Sequence, residues 1–286
     1  MRLLLFGMIA GLSFTTSAIA RETPKYDSFG RLIDFPGKLA VACPKQRRST
    51  AVLLVAGQSN SANHGEARFK TGFSKHVLNY FDGKCYIAAS PLLGATGASG
   101  EFITPLADKL VTDGTFKTVV IVASGITATP ISRWEGGGDL NQMLLRTVRQ
   151  LSAASYQVTA FIWHQGETDF QQGTSTEDYE KAFASLLSSL TDIGVRAPAF
   201  IAIASRCGAT QTWWQAINRI ATAQRALIDN GRTLLGADTD ALGGDDRQLD
   251  GCHLSESGQI KTAASYANAI EAYFARAGSR GGANPY

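Results

Sequence analysis

Short, continuously apolar runs alternate along the chain with longer stretches in which apolar residues recur every three or four positions. The runs are Thr50 to Ala56, Cys85 to Ala88, Thr118 to Ala123, Val158 to Trp163, Ala199 to Ala204 and Thr233 to Gly236. None alternates polar with apolar residues. A strand covered on both faces reads this way, so the runs predict a buried parallel sheet. Between them, Phe102 to Val111, Leu140 to Leu151, Tyr179 to Leu190, Trp213 to Ile228 and Ile260 to Phe274 carry the spacing of amphipathic helices. Ser175 followed by Asp178 marks a helix start, where a serine side chain satisfies a free backbone N–H. The β-α-β-α order predicts one doubly wound α/β domain with about five parallel strands and helices on both faces.

The two ends break this rhythm. Residues 1–20 combine a single Arg2, an apolar core from Leu3, and the small-x-small triplet Ala18-Ile19-Ala20. That is the pattern of a cleaved signal peptide, and it is too short and too broken by Ser13 to Ser17 to span a bilayer. Residues 21–48 read as an extended lead-in, 49–277 as the domain, and the Gly-rich 278–286 as a flexible tail. The expected product is secreted or periplasmic, with no membrane span in the mature chain.

Composition narrows the class. Of 286 residues, 44% are hydrophobic and 18% charged, which excludes a disordered chain. The net charge of +3 is small and scattered, so no nucleic-acid surface is expected. With 29 glycines and only 8 prolines, the chain is suited to tight strand-to-helix turns.

Doubly wound sheets bind ligands outside the carboxyl ends of their strands. Those corners hold Gly57-Gln58-Ser59-Asn60, Ser124-Gly125, His164-Gln165-Gly166-Glu167 and Ser205-Arg206-Cys207. Turn chemistry alone accounts for Gly, Ser and Asn there, but not for the added Gln, His and Glu. Ser59 directly follows the first run. A serine hydroxyl becomes a useful nucleophile only beside a base. His253, in Asp250-Gly251-Cys252-His253, supplies one, and Asp250 three residues upstream can orient its ring. No G-x-S-x-G, P-loop or G-x-G-x-x-G is present. His64 and His76 lack zinc-site spacing, and His164 reads as a packed wall; no metal and no cofactor is expected.

Gly57-Gln58-Ser59-Asn60, Trp163-His164-Gln165-Gly166-Glu167 and Asp250-x-x-His253 together resemble the three blocks of the SGNH-hydrolase superfamily. The sialate O-acetylesterase-like branch, which includes acetylxylan esterase-like carbohydrate acetylesterases, is the most similar. Further matches are Ala123-Ser124-Gly125 with Arg133-Trp134 downstream, and Gln224 on a late helix. The resemblance covers roughly residues 50–275. It implies a flavodoxin-like three-layer α/β/α fold. It also implies Ser59 as nucleophile, His253 as general base, Asp250 as its orienter, and an oxyanion hole of Ser59, Gly125 and Gln165. The link from Gly125 to Trp134 is longer than the family's usual one and lacks its second glycine.

The expected activity is a serine esterase acting on O-acetyl esters of carbohydrates, either acetylated polysaccharide or sialic acid. Gln58, Asn60, Glu167 and Trp134 are the expected substrate-binding residues, with Trp213 and Trp214 further candidates. Glu167 could equally brace the loop or favour a helix start. The alternatives are an exported carbohydrate O-acetyltransferase using the same triad, and a non-catalytic sugar-binding protein.

Four cysteines allow three pairings. Cys43 precedes the first strand and Cys85 opens the second, so both belong at amino ends. Cys207 follows the fifth strand and Cys252 lies in the Asp-His loop, so both belong at carboxyl ends. A strand of five or six residues spans about 17–20 Å, too far for cross-pairing. The expected bridges are Cys43–Cys85 and Cys207–Cys252.

Overall fold

A computed structural model of the chain describes residues 23–208 and 218–279. The signal peptide expected over 1–20, Trp213, Trp214, the first part of the predicted helix at 213–228 and most of the tail lie outside the described residues.

The central strand β4 (Thr50–Gly57) shows why the sheet reads as unbroken apolar sequence. Val52, Leu54 and Ala56 face one buried cluster and Ala51, Leu53 and Val55 the other, all at zero exposure. The first face is covered by α2 (Asp139–Ala153), α4 (Thr176–Asp192) and α5 (Arg219–Ala226) through Leu144, Phe183 and Ile220. The second is covered by α1 (Ile103–Thr112) and α6 (Glu256–Ser279) through Leu106, Tyr266 and Ile270. This is the expected three-layer α/β/α arrangement, with hydrophobic burial on both faces as its main stabilising term. Ser175 caps α4 by accepting the Asp178 N–H.

Six strands run parallel: β4, β5 (Val77–Phe81), β7 (Thr118–Ala123), β8 (Ala160–His164), β9 (Ala199–Ile203) and β10 (Thr233–Asp238). Two more, β6 (Lys84–Ile87) and β3 (Ala40–Val41), extend the edge antiparallel to their neighbours, giving the order β10-β9-β8-β4-β7-β5-β6-β3. A separate two-stranded hairpin joins β1 (Lys25–Tyr26) to β2 (Leu32–Asp34), so the lead-in is partly structured.

Two expectations need correction. The sheet is larger than five strands, because β5 is interrupted by the buried Asn79 and does not read as an apolar run. Asn79 is accommodated because its side chain bonds the Leu93 N–H at 2.8 Å and the Leu93 carbonyl at 3.2 Å. The run at Cys85 is the return strand of the β5–β6 hairpin, not a parallel strand. Cys85 opens its strand, but because β6 runs antiparallel it lies opposite Tyr80, near the carboxyl end of β5. It meets Cys43 because β3 lies beside β6, with Val41 opposite Cys85.

The chain fills one side of β4 with β7 and β5, then crosses to build β8, β9 and β10 on the other. The loops after β4, β7 and β8 thus diverge at one point, where open α/β sheets form their ligand crevice.

Candidate active site

Ser59 opens a single 3₁₀ turn, Ser59–Ser61, directly after β4. The turn needs Gly57, whose φ of +131° is left-handed and whose absent Cβ would lie 2.1 Å from the His164 carbonyl oxygen. Ser59 is 3% exposed, and its hydroxyl caps no helix and has no partner among the described residues. The backbone N–H groups of Ser59 and Gly125 are likewise undonated among the described residues. Gly125 follows β7 and packs against the Ser59 turn, held by Ile126 N–H to Gly57 O at 2.9 Å and by Thr96 N–H to Gly125 O at 3.0 Å.

The Asp250 loop folds on itself. Asp250 Oδ1 accepts the Cys252 and His253 N–H groups at 2.8 and 3.0 Å, an Asx turn closed by the left-handed Gly251. Its Oδ2 lies 2.6 Å from His253 Nδ1, leaving the other ring nitrogen unengaged by this pair. Burial opposes the Asp250 charge, but the Cys252 N–H, the His253 ring and the His253 N–H hold its carboxyl below the ordinary range.

Asn60 joins the two segments. Its Nδ2 donates to the Cys252 carbonyl at 3.1 Å and its Oδ1 accepts the Leu254 N–H at 3.2 Å. The residue after Ser59 therefore grips the backbone on both sides of His253. Asn60 Nδ2 also donates to Glu167 Oε1 at 2.8 Å. Cys252 is tied by its disulfide to Cys207, after β9.

The expected substrate-binding and oxyanion residues have these surroundings. Trp134 has zero exposure and stands edge-on to Trp163 in the core, with its Nε1 donating to Thr129 Oγ1. Glu167 is 1% exposed at the start of α3 (Glu167–Gln172), a helix too short to show a period in sequence, and it faces Asn60 instead of solvent. The side chain of Asn60 is engaged by Glu167, Cys252 and Leu254. Gln165 has zero exposure; its Nε2 donates to the Asp169 carboxylate, to Thr129 O at 3.0 Å and to Gln58 Oε1 at 3.3 Å. That amide is taken up by protein acceptors. Gln58 Oε1 also accepts the Thr168 N–H at 3.1 Å, while its own Nε2 is without a partner among the described residues. Gln224 braces the crevice floor by bonding Gln165 O at 2.8 Å and accepting Ala204 N–H at 2.8 Å. His164 is a buried wall packed on Phe102, and Arg133 forms a surface pair with Asp139.

Two residues escape a sequence reading. His64 stacks on His253, with ring centroids 5.6 Å apart and planes 23° apart. Burial, and then His253, push its pKa down to about 4, so it is neutral near pH 7. Arg247 is a buried cation whose guanidinium donates to the Cys252, Thr239 and Leu242 carbonyls, pinning the loop from beneath. Its position in the loop Asp245-Asp246-Arg247 carries no motif, so only the fold reveals it.

Glu167 predicts a pH signature. Burial, against the Asn60 bond, raises its pKa from 4.5 to about 7. A carboxyl raised in the folded state contributes stability that is full below its unfolded value and is lost as pH rises through about 7. At about 1.4 kcal/mol per tenfold change in proton affinity, the loss is on the order of 3 kcal/mol. Glu167→Gln should be more stable than wild type at pH 8 and no more stable at pH 4. Urea titrations at both values check this; an equal gap at both rejects it.

The Cys207–Cys252 bridge predicts redox-sensitive activity. Cys252 stands between Asp250 and His253, and displacing a catalytic group by 1 Å costs up to about 10²-fold. Mild reduction should lower kcat while circular dichroism stays native, and replacing Cys43 and Cys85 together by Ser should not reproduce the drop. Coincident loss of activity and fold would refute this.

Residues 49–272 match a protein-family model described as carbohydrate esterase, sialic acid-specific acetylesterase. No curated protein matches the chain. Among solved structures, it superposes on a protein from Arabidopsis thaliana with a TM-score of 0.62 at 17% identity, over 79% of this chain and 99% of that one. NanS gives a TM-score of 0.56 at 16% identity, over 82% and 100%. A carbohydrate acetylesterase from Xanthomonas citri gives 0.52 at 14% identity, over 81% of this chain but 57% of that one. At such identities the superpositions establish a shared fold, and the family match adds the chemistry. The chain belongs to the sialic acid-specific acetylesterase family of carbohydrate esterases and is a carboxylic ester hydrolase acting on O-acetylated carbohydrate.

Proposed function

We propose that this esterase removes acetyl groups from carbohydrate hydroxyls through Ser59, His253 and Asp250. The observation that carries the reading is the 2.6 Å contact between Asp250 and His253 Nδ1, in a loop bonded on both sides of His253 by the neighbour of Ser59. Asp250 holds the imidazole by one nitrogen, and the other takes the Ser59 proton as Oγ attacks the acetyl carbonyl. The developing oxyanion meets the free N–H groups of Ser59 and Gly125. Gln58 Nε2 is the third donor, held in place by the bonds of Gln165 and Thr168 to its oxygen. The sugar oxygen leaves with the proton from His253. Water, activated by the same imidazole, then releases acetate and restores Ser59.

The catalytic domain is taken as 49–277, and the protein as secreted or periplasmic after removal of residues 1–20. The two disulfides, which persist in oxidising compartments, support this. Among the described residues no helix is long and apolar enough to cross a membrane. Acetate release from a panel of acetylated glycans and p-nitrophenyl acetate, with a Ser59→Ala control, tests the reading. Acetate release unaffected by that substitution rejects it, and acetyl appearing on an added sugar in place of free acetate makes the enzyme a transferase.

A further inference from the structure

Two buried side chains, Glu167 and Asn60, connect to the backbone of the His253 loop. Glu167 Oε1 accepts from Asn60 Nδ2, which also donates to the Cys252 carbonyl, while Asn60 Oδ1 accepts the Leu254 N–H. Asn60 and Glu167 are buried, at 4% and 1% exposure, and the Asn60 amide is taken up by Glu167, Cys252 and Leu254. Glu167 is set in place by the backbone at the start of α3, immediately after β8, so it is anchored to the rigid sheet. Asn60 belongs to the same short turn as Ser59. His253 lies on an irregular loop, and such loops lack the ladder of backbone bonds that gives strands their positional precision.

Resting on the triad reading above, we propose that Asn60 and Glu167 are positioning residues acting as one strut that sets where His253 stands relative to Ser59. Asn60 is the only residue among the described ones whose side chain bonds the backbone on both sides of His253 while being next to Ser59 in the chain. An asparagine side chain can rotate, and each amide hydrogen and oxygen it offers has another arrangement nearby. Glu167 removes that freedom. Its carboxyl takes one Nδ2 hydrogen, which directs the second hydrogen to Cys252 and the oxygen to Leu254 N. The carboxyl therefore acts on the base through two neutral hydrogen bonds, without touching substrate. Arg247 also donates to the Cys252 carbonyl, whereas the Leu254 N–H has Asn60 alone as a side-chain acceptor among the described residues.

The strut makes a specific energetic statement. Two residues acting through one another give losses that do not add, whereas two independent supports give losses that multiply in rate. Asn60→Ala and Glu167→Leu should each lower kcat about 10²-fold, the scale for a catalytic group displaced by 1 Å, with KM changed less than about threefold. The double variant should be no slower than the worse single variant by more than about threefold. Glu167→Gln, whose amide oxygen still accepts from Asn60, should restore kcat to within about tenfold of wild type. A support that was merely structural would lower the fraction of folded enzyme without this rescue and without leaving KM fixed.

Should Asn60→Ala not fold, Asn60→Asp replaces it in the cycle, because it keeps the acceptor for Leu254 and removes both donors. Its expected loss is the same. The strut is overturned by multiplicative losses, by effects on KM alone, or by a Glu167→Gln variant as slow as Glu167→Leu. Ser59→Ala is measured alongside. If it keeps activity, the triad reading itself fails; if it is inactive while the losses multiply, only the strut fails.

Discussion

Ser59→Ala and His253→Ala should each abolish ester turnover and leave the fold intact. The hydroxyl of Ser59 holds no partner among the described residues, so its removal breaks no bond of the scaffold. The His253 ring projects from a loop secured independently by the Cys207–Cys252 bridge, Asn60 and Arg247. In serine hydrolases, loss of one triad member lowers kcat by about 10⁴–10⁶. Asp250→Asn should be less severe than either, because the Asn60, Arg247 and disulfide contacts still orient the loop. Steady-state kinetics on p-nitrophenyl acetate, with thermal melts of each variant, measures both halves of the expectation. More than about a tenth of wild-type activity in either variant would rule out the assignment.

Gly125→Ala should lower kcat by about 10²–10³, the cost of losing one oxyanion donor. The added Cβ would lie 2.6 Å from the Ser61 carbonyl oxygen and 2.8 Å from Ser61 Oγ. Neither side can yield easily. Gly125 is held through Ser124 N–H to Val55 O and Ile126 N–H to Gly57 O, and Ser61 N–H is bonded to Gln58 O. The clash therefore moves the Gly125 N–H away from the Ser59 turn, or moves the turn itself. Overpacking of this kind also costs about 1–3 kcal/mol of stability. KM should change little, since an oxyanion donor acts on charge that develops in the transition state. A variant with wild-type kcat, or one whose only defect is KM, would remove Gly125 from the oxyanion hole.

How much of this was legible beforehand differs from residue to residue. The six apolar runs from Thr50 to Gly236 all fall on strands of one sheet, and in its central strands burial on both faces leaves no reason for a polar residue. Ser175 and Asp178 marked the start of α4 for the local reason that a cap acts within three residues. Val77–Phe81 escaped notice because Asn79 is polar in sequence yet paired with Leu93 in space. The bond between Cys43 and Cys85 lies where strand neighbourhood, not strand polarity, puts it, since β6 runs antiparallel. Around Ser59, the direction of a side chain is set by its surroundings in space. Trp134, Glu167 and Gln165 are the kinds of side chain that contact sugars or oxyanions, and all three turn inward.

The sequence by itself determined the class of fold and the corners where chemistry collects. Hydrophobic periodicity and turn residues act over a few positions, so they survive in a one-dimensional reading. It also singled out Ser59, Asp250 and His253 as candidates, because a serine after a strand and an Asp-x-x-His loop are local patterns. Only the tertiary structure decided what those groups rest on. Asn60 meets Cys252 and Leu254 across more than 190 residues of chain, and Glu167 meets Asn60 across 107. Such contacts depend on where two distant loops converge, and on which side chains burial forces to find a partner. That convergence is set by the strand order around β4, which no spacing along the chain encodes.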